Sequence, residues 1–253
     1  MATETSASEG RKEAREQYRF AAEVIALFIY VFLGAGVESF TRVAAFRAHR
    51  PLDSTYWLLV GFAHGIALYI AIVTTRWVAG AHANPAVTFG LAVSRRFAWK
   101  QVPQQVAAQF LGAVLGALAV LIVFGRITAT AGHLGAAELA PSTSLIQAFF
   151  IEALGTSILA LAIIATNHPG APTGWGALTA GMSVLVIPLY LGPATSALVN
   201  PARAFGPDLV DLFAGVPVNW AVFVVADLLG PLVGAAIACL LYVRVSARRP
   251  LTQ

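Results

Sequence analysis

Two Asn-Pro-Ala triplets, Asn84-Pro85-Ala86 and Asn200-Pro201-Ala202, stand in corresponding places of a chain that is written twice. Each half opens with an acid inside an apolar run, Glu23 in the first and Glu152 in the second. Each closes on a run with two glycines four apart and then an alanine: Gly112, Gly116 and Ala117, later Gly230, Gly234 and Ala235. Apolar runs near the length that crosses a bilayer as a helix, about 20 residues, lie at 20–37, 56–73, 104–124, 145–165, 174–191 and 220–242. That makes three per half. Three is odd, so the second copy lies upside down relative to the first, the inverted repeat that builds many channels and transporters. Small residues four apart let helix backbones approach closely in lipid, where hydrophobicity drives no association.

Hydrophobic residues make up 58% of the chain and charged ones 11%, a balance suited to lipid as solvent. Six spans use most of the length. The organisation expected is a polar tail over 1–19, one membrane domain over 20–243 with repeats at 20–126 and 144–243, and a basic tail over 244–253. The first run follows a tail of mixed charge and contains Glu23, a poor fit to a cleaved signal peptide.

An even number of spans puts both ends on one side. With the second and fourth loops, that side holds Arg11, Lys12, Arg15, Arg19, Arg76, Arg95, Arg96, Lys100, Arg244, Arg248 and Arg249. The other side holds only Arg42, Arg47, Arg50, Arg126 and Arg203. The positive-inside rule then predicts cytoplasmic termini, in a plasma (inner) membrane. Topology and attraction to lipid headgroups account for the net charge of +4, and no nucleic-acid partner is expected. The sequence has no Cys/His cluster, no phosphate-binding glycine loop and no serine with a base at hand. Neither catalysis nor a metal or cofactor is expected. Cys239 reads as helix-packing or lipid-facing filler.

Between the second and third spans of each half lies a segment too short to cross, at 84–94 and at 200–210. Asparagine is among the best N-caps, and proline suits the first turn because its missing N–H costs nothing there. Each segment therefore reads as a half-helix that enters the membrane and stops, tolerated only where protein or a watery cavity surrounds it. Inversion brings the two N-termini together near the midplane, where each carries about half a positive charge and repels cations. The asparagine amides can donate to a passing oxygen while their own oxygens are held by backbone N–H groups. A water accepting from both is turned against its neighbours, which breaks a proton wire. The stretches at 80–83 and 196–199 are expected to be extended, with carbonyl oxygens along the pore.

Residues 80–88 (Gly-Ala-His-Ala-Asn-Pro-Ala-Val-Thr) and 200–207 (Asn-Pro-Ala-Arg-Ala-Phe-Gly-Pro) resemble the two signature loops of the aquaporin, or major intrinsic protein, superfamily. The likeness runs from Glu23 to Tyr242. It implies an all-α membrane protein, a right-handed bundle of six transmembrane helices plus two re-entrant half-helices. It also implies a homotetramer with a pore in each protomer, passing water and small neutral solutes and excluding ions and protons. The family's selectivity filter carries over by spacing to His64, Pro188, Ala197 and Arg203. Glu23 and Glu152 carry over as braces of the re-entrant loops, and His82 as the residue that orients the first.

The stretch Ala63-His64-Gly65-Ile66-Ala67-Leu68 is similar to tonoplast intrinsic proteins, many of which pass ammonia. The neutral imidazole nitrogen of His64 and nearby carbonyls would accept from that solute, and the small Ala197 leaves it room. Pro188 departs from the isoleucine expected there, and Ile187 beside it is the alternative lumen residue. Glycerol conduction is a second expectation, on Gly192-Pro193 and the small Ala197; Ala204 after the arginine counts against it. A structural protein with a closed pore is the third. Asp208 and Asp211 are expected in solvent or at a cap and His133 in a solvated loop, while Asp227 has no role assigned.

Overall fold

The computed structural model describes residues 2–246 apart from Pro169 and Thr173, and only the backbone of 2–15 and 79. Among the described residues six helices are long and apolar enough to cross a membrane: α1 (Glu16–Arg47), α2 (Ser54–Val78), α4 (Trp99–Phe124), α5 (Leu145–Thr166), α6 (Trp175–Thr195) and α8 (Trp220–Ser246). The two half-helices are α3 (Pro85–Val93) and α7 (Pro201–Phe213). The fold class expected from the sequence is the one observed.

Local chemistry sets the ends. The Asp53 carboxylate accepts from Thr55 and Tyr56 N–H to start α2, and Gly80 at φ 80° ends it. Ser144 and Gln147 form a capping box at the start of α5. Two boundaries differ from expectation. The helix leading into α1 begins at Ala2, where a tail was expected. It also runs past 37 to Arg47, through a π-helical turn at Val31–Ala35 that moves the following residues around the axis. A second π-helical stretch, Phe223–Leu229, lies inside α8. Arg248 and Arg249, which enter the topology argument, lie outside the described residues.

Backbones touch where side chains are missing. A Cβ on Gly65 would lie 2.6 Å from Leu185 Cβ and 2.7 Å from Gly181 O, so α2 and α6 meet backbone to backbone. A Cβ on Gly112 would strike Val24 O of α1, and one on Gly234 would strike Ala153 O of α5. Val24 and Ala153 each follow the membrane glutamate of their repeat, so Gly234, not Gly230, is the contact counterpart of Gly112. The half-helices cross over between repeats. Gly90 of α3 lies against Ala235 of α8, and Gly206 of α7 against Ala113 of α4. Each half-helix thus packs on the last span of the opposite repeat, which locks the two inverted copies together. Large apolar side chains such as Trp77, Ile122, Phe150 and Leu154 cover the exterior, as lipid requires.

Candidate functional site

Asn84 and Asn200 sit at the two half-helix N-termini, and each amide works in two directions. Asn84 Oδ1 accepts from Ala86 N–H at 2.8 Å and Val87 N–H at 3.4 Å. Asn200 Oδ1 accepts from Ala202 N–H at 3.1 Å and Arg203 N–H at 3.2 Å. The Nδ2 groups reach across: Asn84 donates to Val199 O at 2.9 Å and Asn200 to Ala83 O at 2.8 Å. An amide NH₂ has two hydrogens, so this reciprocal cross-link leaves each asparagine one N–H. Pro85, Ala86, Pro201 and Ala202 fill the first turns and are buried.

The loops leading into these helices are not extended throughout, as the sequence suggested. Ala81 and Ala83 take φ 48°, and Ser196, Ala197 and Val199 take 66°, 51° and 46°, all in the left-handed region. Such residues cost roughly 1–2 kcal/mol each. The alternation aims N–H groups to one side, where the membrane glutamates meet them. Glu23 accepts from the N–H of His82 at 2.9 Å and of Ala83 at 3.0 Å, and from Gln109 Nε2 at 2.9 Å. Glu152 accepts from Val199 N–H at 2.8 Å and the Thr195 hydroxyl at 2.6 Å. His82 Nδ1 lies 3.1 Å from Thr88 Oγ1, whose hydroxyl donates to Asn84 O, and its ring packs edge-on against Phe97.

Beyond the asparagines stands Arg203, fully buried. Its Nε donates to His64 Nε2 at 3.0 Å, while His64 Nδ1 faces Val60 O at 2.9 Å. A carbonyl only accepts and a guanidinium only donates, so His64 is neutral with its proton on Nδ1. Both ring nitrogens are engaged. Gly34 makes room for this ring: a Cβ there would lie 2.8 Å from His64 Cδ2. Ala197 is buried in the left-handed loop three residues before Asn200. α6 runs unbroken through Pro188, which is buried, and Ile187 beside it lies against Gly155 of α5 and Val199.

The residue that sequence reasoning missed is Glu38, on α1 just after the π-helical turn. Its Oε2 accepts from Arg203 Nη2 at 2.6 Å. Its Oε1 accepts from Arg42 Nη2 at 2.8 Å and from the Tyr56 hydroxyl at 3.2 Å. The available signal was an acid and an arginine four apart near the end of a span, which reads as a local pair and gives no hint of Arg203. Arg42 continues outward to Ala136 O at 3.1 Å and to the half-exposed Glu138 at 3.7 Å, which faces His133 at 3.4 Å. Asp208 and Asp211, expected in solvent or at a cap, are buried on α7. Asp227 is buried in the π-helical stretch, and neither of its carboxylate oxygens has a hydrogen-bond partner among the described residues. Cys239 packs in a cluster with Ala86, Val87 and Leu91 of the first half-helix.

Six helices fit to cross a membrane among the described residues, with two half-helices meeting tip to tip at their asparagine caps, define the class: a membrane channel. The comparisons agree. Residues 11–242 match the family model described as major intrinsic protein, so the chain belongs to that family of channels and is not an enzyme. It is 36% identical over 237 residues to Aquaporin AqpM of Methanothermobacter marburgensis, covering 88% of this chain and 95% of that one. It is 30% identical over 233 residues to the glycerol uptake facilitator protein of Bacillus subtilis, at 88% and 83% coverage. The X-ray structure of the aquaglyceroporin from Plasmodium falciparum superposes with a TM-score of 0.77 at 27% identity, covering 91% of this chain and 97% of that one. These relatives are of archaeal, bacterial and protozoan origin and lend no support to a specifically tonoplast-like filter.

Proposed function

We propose that the chain conducts water in single file past Asn84, Asn200 and Arg203 and excludes protons and ions. The observation that supports this most is the reciprocal asparagine cross-link, which fixes both amides and leaves one N–H on each for a solute oxygen. A water held by two fixed donors has its own hydrogens turned away from the midpoint, so a proton cannot be handed along the file. Both half-helix N-termini add positive potential at the same place. In this reading His64, Pro188, Ala197 and Arg203 form the narrow outer constriction, with Ile187 turned toward α5. Glu23, Glu152 and His82 hold the loops that carry the pore carbonyls. Each protomer has its own pore within a homotetramer, in the plasma (inner) membrane with cytoplasmic termini.

Ammonia was expected from the neutral His64 nitrogen, nearby carbonyls and the small Ala197. Both ring nitrogens are engaged, so that expectation keeps the carbonyls and Ala197 as support. Glycerol-sized solutes are the second reading. Ala197 leaves room, Arg203 is drawn toward α1 by Glu38, and the relatives include a glycerol facilitator and an aquaglyceroporin. Light scattering from proteoliposomes challenged in turn with sucrose, glycerol and methylammonium separates the readings. Water flux well above protein-free vesicles is expected; no increase over lipid alone would overturn the proposal.

A further inference from the structure

The pore arginine has a buried acid of its own. Glu38 and Arg203 are both fully enclosed, lie on elements far apart in sequence, and meet at 2.6 Å. Glu38 is held from behind by Arg42 Nη2 at 2.8 Å and by the Tyr56 hydroxyl, which itself accepts from Arg42 Nε at 2.7 Å. Arg42 is turned outward in part to Glu138. The cluster therefore contains two arginines and two acids, with His64 neutral between Val60 and Arg203.

Consider the constriction without Glu38. Arg203 would lose the carboxylate that touches it and stand as a guanidinium with no acid in contact, close to the N-terminus of its own half-helix. A guanidinium beside a helix N-terminus is an anion receptor, and a tightly held anion would plug a single-file pore. With Glu38 in place, one face of Arg203 is neutralised and its Nε is given to His64. Nη1, which has no hydrogen-bond partner among the described residues, and the second N–H of Nη2 remain as donors.

We infer that Glu38 is a fifth filter residue, the resident counterion of Arg203, which keeps small anions out of the constriction and leaves Nη1 to donate to neutral solutes. The inference rests on the channel reading above, and it acts through Arg203 rather than by contact with solute.

The test is a gain of anion sensitivity, which simple destabilisation would not produce. Water permeability of proteoliposomes is measured in sodium gluconate and in sodium nitrate, a planar anion that matches a guanidinium. Wild type and Glu38→Asp should be indifferent to nitrate. Glu38→Gln should be inhibited saturably, to about one tenth of its gluconate rate at about ten times the nitrate dissociation constant. Glu38→Gln combined with Arg203→Val should lose the sensitivity. Thermal unfolding in detergent provides a readout independent of flux: nitrate should raise the midpoint of Glu38→Gln and leave wild type and the double variant unmoved. If Glu38→Gln unfolds on extraction, Glu38→Ala purified in formate should recover, the free carboxylate replacing the lost one. Nitrate-indifferent Glu38→Gln by both measures would overturn the counterion role, as would sensitivity that persists without Arg203. Wild-type vesicles with no water flux would instead remove the channel reading and leave the thermal result to decide on Glu38.

Discussion

Removing Glu23 should cost more than any surface change, because one carboxylate satisfies three donors at the base of the first half-helix. His82 N–H, Ala83 N–H and Gln109 Nε2 reach it at 2.9, 3.0 and 2.9 Å. Gln109 Nε2 keeps Thr88 Oγ1 at 3.1 Å for its other hydrogen, but three N–H bonds lose their acceptor, each at about 2 kcal/mol, so Glu23→Ala loses about 6 kcal/mol before relaxation. Freeing Ala81 and Ala83 from φ 48° returns about 1 kcal/mol each. The net is about 4 kcal/mol, a large part of the stability of a single domain. Glu23→Gln keeps one acceptor oxygen and turns an NH₂ toward the donors, which places it near half that loss. With a midpoint shift of about 2–4 °C per kcal/mol, alanine should lower the thermal midpoint in detergent by about 8–16 °C and glutamine by about 4–8 °C. Water permeability per protein should fall in the same order, because the loop carries Ala83 O, the acceptor for Asn200. An alanine variant within about 2 °C of wild type would refute the reasoning.

Other expectations follow from particular contacts. Gly65→Val places methyl groups against the Leu185 and Gly181 backbone, and overpacking of that kind costs about 1–3 kcal/mol; a wild-type midpoint would mean that α2 and α6 do not meet as described. His64→Phe removes the acceptor of Arg203 Nε and should cost about 1–3 kcal/mol, whereas a change in solute range with no loss of stability would contradict the His64–Arg203 bond. Arg203→Val leaves Glu38 buried with one arginine fewer; it should widen the solute range and lower stability by about 3–5 kcal/mol, the cost of breaking a buried pair. An unchanged permeability profile would remove Arg203 from the constriction.

Much of this arrangement is legible in the chain because each piece is a local rule repeated. Asn84-Pro85 and Asn200-Pro201 are N-cap and first-turn pairs, and they start helices where the rule says they should. A glutamate in an apolar run needs buried donors, and Glu23 and Glu152 find them in loop N–H groups. What was not legible depends on distance. Glu38 has its nearest obvious partner four residues away in Arg42, yet its shortest bond goes to Arg203 in the other repeat. The π-helical turn at Val31–Ala35, which shifts the register ahead of Glu38, leaves no signature in composition. The left-handed alanines and valine of the loops carry no glycine to announce them. Asp208 and Asp211 read as solvent-facing or capping because a carboxylate in a short half-helix is cheapest in water, but α7 packs on α4 through Gly206 and both acids are buried.

The most direct test of the central claim measures water and protons through the same vesicles. Purified protein reconstituted with a trapped pH dye is given first an osmotic step and then a pH step under a clamped potential. The paired half-helices and fixed asparagine donors predict water permeability well above that of empty vesicles, with proton leak equal to theirs. Proton flux that rises together with water flux, or water flux no greater than that of lipid alone, would contradict the account.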